Sequence, residues 1–180
     1  MEFFNHWAPI FMKYLMRDFG VSVLDAAAIV GNAGHESGGF KSLQEKKPVV
    51  PGSRGGYGIM QWTGPRRRAY EAYCSRNKLD PADMETNYKF LFVELSGEEG
   101  RVLPKLKATK DLNAKTEVFM TGFLRPGIPH LGARQGWAKR ALDQYNKLPV
   151  EEKKSDVEAI AEASIELVKE ESIWWKIAKA

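Results

Sequence analysis

One stretch of the chain, residues 37–64, contains glycine and proline so densely that a regular helix cannot continue through it. It follows an alanine-rich run from Asp25 to Gly34 that has the apolar composition of a buried helix. Ser22 stands three residues before Asp25, which is the spacing of a capping box at a helix start. The sequence therefore predicts a buried helix that leads directly into an irregular segment, with Tyr57 to Trp62 as its most strand-like part.

Helical periodicity accounts for most of the remaining chain. It predicts a first helix that ends near Gly20 and further helices over residues 66–77, 83–96, 116–123 and 135–148. Pro149 closes this compact part, and a last helix is predicted from Asp156 to Ala178. We predict a mainly α (α+β) fold of about seven helices with a small β-hairpin or irregular β element. Residues 1–149 form one domain in this interpretation, and residues 150–180 form a C-terminal helical appendage.

The positive charge of the chain favours anionic partners but does not decide which of them it binds. The formal net charge is +4 at pH 7, which favours an anionic partner such as a nucleic acid, an acidic membrane surface or a cell-wall polymer. The single cysteine, Cys74, excludes an intrachain disulfide, and the three histidines are too scattered to indicate a metal site. We therefore predict no metal and no cofactor.

The N-terminal residues do not have the pattern of a targeting segment. Polar and charged residues interrupt the first 20 residues, so the basic start and unbroken apolar core of a signal peptide are missing. No apolar stretch approaches the length of a membrane-spanning helix. The expectation is a protein without a signal peptide that is delivered by other means if it acts outside the cytoplasm.

Glu36 is the first candidate catalytic residue. It stands in Gly34-His35-Glu36-Ser37-Gly38-Gly39-Phe40, at the predicted C-terminal end of the alanine-rich helix. Apolar surroundings and the negative end of a helix dipole both disfavour a charged carboxylate, which suits a group that must donate a proton. The alternative is a structural cap whose carboxylate is bound by the glycine amides that follow. Both interpretations are open from these residues alone.

A second carboxylate and a substrate-binding wall are predicted in the irregular segment. Glu45 lies nine residues after Glu36 and can face it across a cleft, although Glu45-Lys46-Lys47 also fits a solvated charge cluster. Tyr57, Gln61, Trp62 and Thr63 supply rings that stack on sugar faces and polar groups that bind acetamides or water. An aromatic hairpin packed into the core explains the same pattern, and the alternation of residues does not decide between the two.

The two motifs resemble known cell-wall enzymes. The residues from Gly34 to Phe40 look like the acid-bearing helix end of the lysozyme superfamily, including chitinase-type phage endolysins. The residues from Gly56 to Arg67 resemble the phage tail lysozyme family, and the Gly58-Ile59-Met60-Gln61 core is similar to a motif of lytic transglycosylases. The resemblance covers about Ala27 to Leu148.

The resemblance implies a lysozyme-like domain with muramidase activity on bacterial peptidoglycan. It implies Glu36 as the catalytic acid, Glu45 as the second carboxylate and Gln61 as a cleft residue, and it adds Asn87 and Tyr88 as substrate-binding residues. Tail lysozymes lead us to expect acidic residues before Pro126, where this chain has Met120 and Leu124. Glu45 is therefore the preferred candidate for the second carboxylate.

The expected protein is an N-acetylmuramidase of phage or prophage origin that cleaves the bond between N-acetylmuramic acid and N-acetylglucosamine. A lytic transglycosylase and a wall-binding or virion structural protein without turnover are the alternatives. We expect a monomer that is made in the bacterial host cytoplasm, acts on periplasmic or cell-wall peptidoglycan and binds no nucleic acid. The predicted C-terminal helix, with Trp174 and Trp175, is open as a membrane contact, a partner contact or a packed lid.

Overall fold

The computed structural model describes residues 1–48 and 52–153, and this part of the chain is mainly helical. Its seven α-helices are α1 (Glu2–Phe19), α2 (Val23–Glu36), α3 (Gly64–Asn77), α4 (Met84–Ser96), α5 (Leu103–Ala108), α6 (Leu112–Phe119) and α7 (Leu131–Asn146). A 3₁₀ helix, Glu98–Val102, precedes α5, and a π-helical turn, Met120–Leu124, follows α6. The predicted mainly helical, lysozyme-like fold is confirmed.

Helix α2 is the centre of the core and packs against α1, α6 and α7. Ser22 and Asp25 form the predicted capping box, because the Ser22 amide donates to the Asp25 carboxylate and the Asp25 amide donates to the Ser22 hydroxyl. A Cβ atom on Gly31 would lie only 2.3 Å from Cα of Ala138 in α7. The small residues of α2 therefore let α7 approach its backbone closely, which brings the start of α7 beside the end of α2.

The segment between α2 and α3 is irregular, as the glycines and prolines predict. In its described residues the only β pairing consists of isolated antiparallel bridges, Gln44 with Tyr57 and Tyr57 with Trp62. Side-chain amides complete the hydrogen bonding that a sheet would supply. Gln61 donates to the carbonyl oxygens of Leu43 and Gly58, each at 2.9 Å. The segment is thus held in one conformation without being a sheet.

Two differences from the predicted elements concern the second half of the chain. The 3₁₀ helix and α5 occupy residues 98–108, for which no helix was predicted. Gly97, Gly100 and Pro104 lie in or next to this short stretch and interrupt its helical periodicity. Helix α7 begins at Leu131, earlier than the predicted residue 135, after His130 in a left-handed conformation.

The predicted helix from Asp156 to Ala178 lies outside the described residues, and the division into residues 1–149 and 150–180 stays a prediction. Among the described helices, none is both long and apolar enough to cross a bilayer.

Candidate active site

A cleft of about 450 Å³ opens between the end of α2, the irregular segment, the start of α3 and the connector at 124–127. Both predicted carboxylates line it, although they come from different elements. Glu36 is the last residue of α2, and Glu45 belongs to the irregular segment. The other lining residues are Gly56, Met60, Gln61, Trp62, Thr63, Arg66, Leu124, Arg125, Pro126 and Gly127.

Glu36 forms an ion pair with a buried arginine from α7. Its Oε1 atom lies 2.7 Å from Nη2 of Arg134, and the side chains of Glu36 and Arg134 are 18% and 2% exposed. The predicted surroundings of Glu36 are therefore only partly correct, because an adjacent guanidinium accompanies the apolar residues of α2. The difference arises because Arg134 is 98 residues away in sequence and reaches Glu36 only through the packing of α7 on α2.

Arg134 is itself fixed by buried polar groups. Its Nε donates to the carbonyl oxygen of Pro129 at 2.7 Å, and its Nη1 donates to Oδ1 of Asn32 at 3.2 Å. The amide of Asn32, which is fully buried, donates to the carbonyl oxygens of Ala28 and Thr116. This network joins α2, α6 and α7 behind the carboxylate. It orients Arg134, which in turn determines where Oε1 of Glu36 lies.

His35, the neighbour of Glu36, is half-buried beside a second histidine. Burial, together with the smaller effects of the positive charges of Arg134 and His130, lowers the pKa of His35 to about 4. The rings of His35 and His130 are 5.6 Å apart between centroids. His35 is therefore neutral near pH 7 and adds no positive charge next to Glu36.

Glu45 is half-buried, and one of its oxygens is occupied by the backbone. Its Oε2 accepts a hydrogen bond from the Gly56 amide at 2.7 Å, and its own amide donates to the Gly56 carbonyl at 2.9 Å. A Cβ atom on Gly55 would lie 2.7 Å from the same oxygen. Glycine at this position therefore lets the segment close against the carboxylate, whose Oε1 atom has no hydrogen-bond donor among the described residues.

Gln61 and Thr63 lie where the sequence predicts them, in the lining of the cleft. Gln61 adopts a left-handed conformation, with φ of 48°, and its Nε2 is bound to backbone carbonyls as described above. Its Oε1 accepts no hydrogen bond from a described residue. Thr63 precedes α3, is exposed and makes no side-chain cap to that helix. Both therefore present a polar group that is not used by the fold.

Trp62 reaches the cleft but does not offer it a free ring. Its side chain is 1% exposed and packs against Tyr70 and Phe90, with ring centroids 4.7 and 5.1 Å apart. Its Nε1 donates to Oε2 of Glu94 at 2.7 Å. The structure therefore supports the interpretation in which Trp62 is packed into the core.

Tyr57, Asn87 and Tyr88 lie outside the lining of the cleft. Tyr57 is half-buried, and the guanidinium of Arg67 lies over its ring. Asn87 is fully buried, accepts from the Ile59 amide at 3.0 Å and donates to the carbonyl oxygens of Pro81 and Asp83. The Tyr88 hydroxyl donates to Asp18 at 2.7 Å. Their contacts stabilise the fold, so these three residues are not carried into the substrate-binding proposal below.

Arg66 and Glu94 were not among the predicted site residues, although they support the floor of the cleft. Glu94 pairs with Arg66 through two hydrogen bonds of 2.7 Å, and its side chain is 9% exposed. Arg66 also donates to the carbonyl oxygen of Phe123 and lies 4.5 Å from its ring centroid. The run of arginines at 66–68 is the only sequence signal for this cluster, and it also fits a solvated surface.

The described residues contain no group of three or more His, Cys, Asp or Glu side chains that could hold a metal ion. A mainly helical domain with two carboxylates in the lining of one cleft is consistent with a lysozyme-like protein. Residues 6–145 match the family model described as phage tail lysozyme, and the chain belongs to that family. Membership indicates a lysozyme-like peptidoglycan hydrolase of phage origin that acts on the cell wall. No curated protein sequence matches the chain significantly.

Proposed function

We propose that the chain is an N-acetylmuramidase that hydrolyses the bond between N-acetylmuramic acid and N-acetylglucosamine in peptidoglycan. The observation that carries the proposal is the presence of Glu36 and Glu45 in the lining of one cleft. Glycoside hydrolysis needs one carboxyl group to protonate the leaving oxygen and a second to activate water or to stabilise the positive transition state. The family match supports the same class of reaction.

Glu36 is the proposed acid. Arg134 contacts Oε1, and no described residue bonds to Oε2, so the proton for the glycosidic oxygen resides on Oε2 in this mechanism. The same carboxyl group then carries the negative charge, which the adjacent guanidinium stabilises. Arg134 thereby serves as a positioning residue that keeps the acid at the end of α2 through the reaction.

Glu45 is the proposed second carboxylate. The Gly56 amide holds its Oε2, which leaves Oε1 for a water molecule or for the developing charge on the sugar. Gln61, through Oε1, and Thr63, through its hydroxyl, are the proposed binding groups for acetamide and hydroxyl substituents. In this proposal Trp62 supports the cleft from below and does not stack on a sugar.

The proposed place of action is the wall of the phage host. The protein is made in the host cytoplasm and reaches the peptidoglycan either as a lysis enzyme or as part of a virion. A basic chain, with a net charge of +4, suits an anionic wall. The proposed partner is peptidoglycan, and the protein acts as a monomer without a cofactor.

The test compares Glu36→Gln and Glu45→Gln with the wild-type protein on purified peptidoglycan. Glu36→Gln is expected to lower kcat by about a hundred- to ten-thousand-fold, the usual contribution of a general acid, without loss of the fold. Glu117→Gln is the matched control, because Glu117 is exposed and outside the cleft. Retained turnover in Glu36→Gln contradicts the assignment of the acid.

Mass spectrometry of the released fragments decides the reaction. A muramidase adds water and produces reducing N-acetylmuramic acid ends. Anhydro-muramyl ends identify a lytic transglycosylase, which needs only one carboxyl group. Sedimentation of the wild-type protein with the wall, without release of fragments, identifies a binding protein that has no turnover.

A further inference from the structure

A second groove begins where the cleft ends. A depression of about 420 Å³ lies between α3 and α4 and shares Arg66 with the cleft. It continues into another depression of about 530 Å³, with which it shares Tyr73 and Val93. We call the two depressions together the α3/α4 groove. The cleft and the groove are therefore neighbours that meet at Arg66, and from there the groove extends along α3 and α4.

The floor of the α3/α4 groove is apolar and accessible. Ala69 is exposed, Tyr73 is half-buried, and Val93 and Phe92 are 45% and 40% exposed. From Arg66 to Arg76 the groove follows α3 for about 15 Å, at about 1.5 Å per helical residue. Large apolar side chains that remain exposed in one contiguous strip are typical of a binding surface.

The carboxylates and the cations on the rim of the groove differ in whether they have partners within the protein. Its three carboxylates are bound within the protein: Glu94 pairs with Arg66, Asp18 pairs with Arg17, and Glu85 accepts a hydrogen bond from the Tyr14 hydroxyl. Its cations Arg76 and Lys89 are exposed, and neither pairs with a carboxylate among the described residues. The groove therefore offers two cations without a carboxylate partner beside an apolar floor, which suits a polymer that has sugar rings and carboxylates.

We propose that the α3/α4 groove is a second binding site that holds the glycan strand of peptidoglycan beyond the cleft. Sugar rings pack on Ala69, Tyr73 and Val93, and carboxylates of the stem peptides contact Arg76 and Lys89. This proposal rests on the proposed function. A polymer that occupies the cleft must leave it at both ends, and Arg66 lines both the cleft and the groove. A protein partner would have no such reason to start at the active site.

The first experiment fills the groove without removing any contact. Ala69→Trp places a large ring on the floor of the groove, and Ala72→Trp places the same ring on an exposed position of the same helix outside the groove lining. For the full chain acting on insoluble peptidoglycan, Ala69→Trp is expected to raise KM about tenfold, corresponding to about 1.4 kcal/mol. Turnover of a short soluble tetrasaccharide, which is too short to fill both the cleft and the groove, stays unchanged. Ala72→Trp leaves both substrates unaffected.

The second experiment tests the rim. Arg76→Gln combined with Lys89→Gln is expected to raise KM on intact peptidoglycan several-fold, and to have no effect on glycan strands freed of stem peptides. Arg68→Gln combined with Lys139→Gln removes equal charge from exposed positions outside the groove. If only the rim variant, and not Ala69→Trp, weakens binding, the groove holds stem peptides and the glycan proposal is overturned.

The remaining outcomes separate this site from the catalytic proposal. Equal effects of Ala69→Trp and Ala72→Trp, or equal losses on long and short substrates, overturn the groove. Sedimentation of the full chain with insoluble peptidoglycan measures binding independently of turnover. If the wild-type protein binds without cleavage, and Ala69→Trp weakens sedimentation while Ala72→Trp does not, the muramidase proposal fails. The proposal that the groove binds the glycan strand is then supported.

Discussion

The two walls of the cleft are built in different ways. The helical wall ends in Glu36, the last residue of α2, behind which Arg134 of α7 and Asn32 of α2 form a buried polar network. The irregular wall consists of residues 42–48 and 52–63, where the backbone has almost no regular pairing. Both walls are polar inside, but their polar side chains serve different partners.

The difference lies in what satisfies the backbone. In a helix the backbone bonds to itself, so that side chains such as Glu36 and Arg134 are available to each other, and Glu36 is also available to a substrate. In the irregular wall, amide and carbonyl groups need other partners, and Gln61 and Asn87 provide them. Polar residues near an irregular segment are therefore often structural even when their types suit a substrate.

The largest expected effect is on the irregular wall. Asn87→Leu leaves the Ile59 amide without its acceptor and removes the bond to Pro81, so the free energy of unfolding is expected to fall by about 3 kcal/mol. Urea denaturation measures the loss, and limited proteolysis should cut first within residues 42–63. Asn113→Leu, at an exposed helical position, is the control and should change little. Equal stability of the two variants would contradict a structural role for Asn87.

A slightly smaller effect is expected on the helical wall. Arg134→Met leaves the buried Asn32 Oδ1 and the partly exposed Glu36 without their partner, at a cost of about 2 kcal/mol. If Arg134 positions the acid, kcat falls while KM changes little, and Arg134→Lys restores part of kcat. Arg140→Met removes an arginine with one bond from the same helix and keeps kcat. A change in KM alone would contradict the positioning role.

A pH-dependent effect of about 1 to 2 kcal/mol is expected from His35, after allowance for its partial exposure. The folded state holds the pKa of His35 at about 4, below the ordinary histidine value of 6.5, so the unfolded state binds more protons between these values. Stability is therefore complete above about pH 6.5, falls as the pH drops towards 4 and levels off below that. Urea midpoints across this range should show the loss, and His35→Gln should reduce it. His6→Gln, at an exposed histidine, should leave the curve unchanged.

The smallest effect concerns the floor beneath the irregular wall. Trp62→Phe keeps a ring against Tyr70 and Phe90 but removes the hydrogen bond to Glu94, which Arg66 still holds. A loss of about 1 kcal/mol in thermal or urea unfolding is expected, with turnover of short glycans preserved. Trp7→Phe is a matched change in a tryptophan that belongs to α1. A collapse of turnover in Trp62→Phe would show that its ring binds substrate.

Local signals predicted the parts of the fold that depend on neighbouring residues. The capping box at Ser22 and Asp25, the alanine-rich helix and the glycine-rich break after it all act within a few residues, and the structure contains each of them. The same signals bring Glu36 and Glu45 to one cleft, because a short irregular segment joins them. Their catalytic roles stay a prediction.

Contacts between distant residues could not be predicted in the same way. Trp62 is buried because α4 places Phe90 and Glu94 against it, and Tyr88 is occupied because α1 places Asp18 within reach. A tryptophan beside glycines has the same local pattern whether it is exposed or covered by a helix. The side chains that looked most like a sugar platform were therefore the ones that the core used.

By itself the sequence determined the helical framework, the irregular break in it and the two carboxylates, one just before that break and one within it, because these depend on local periodicity and backbone geometry. Only the tertiary structure decided which polar groups remain available to a substrate. It set Arg134 against Glu36, assigned Asn87 and Trp62 to the fold, and opened the groove between α3 and α4. The physical reason is that burial and pairing are properties of surfaces brought together by packing, and residues far apart in sequence supply both sides.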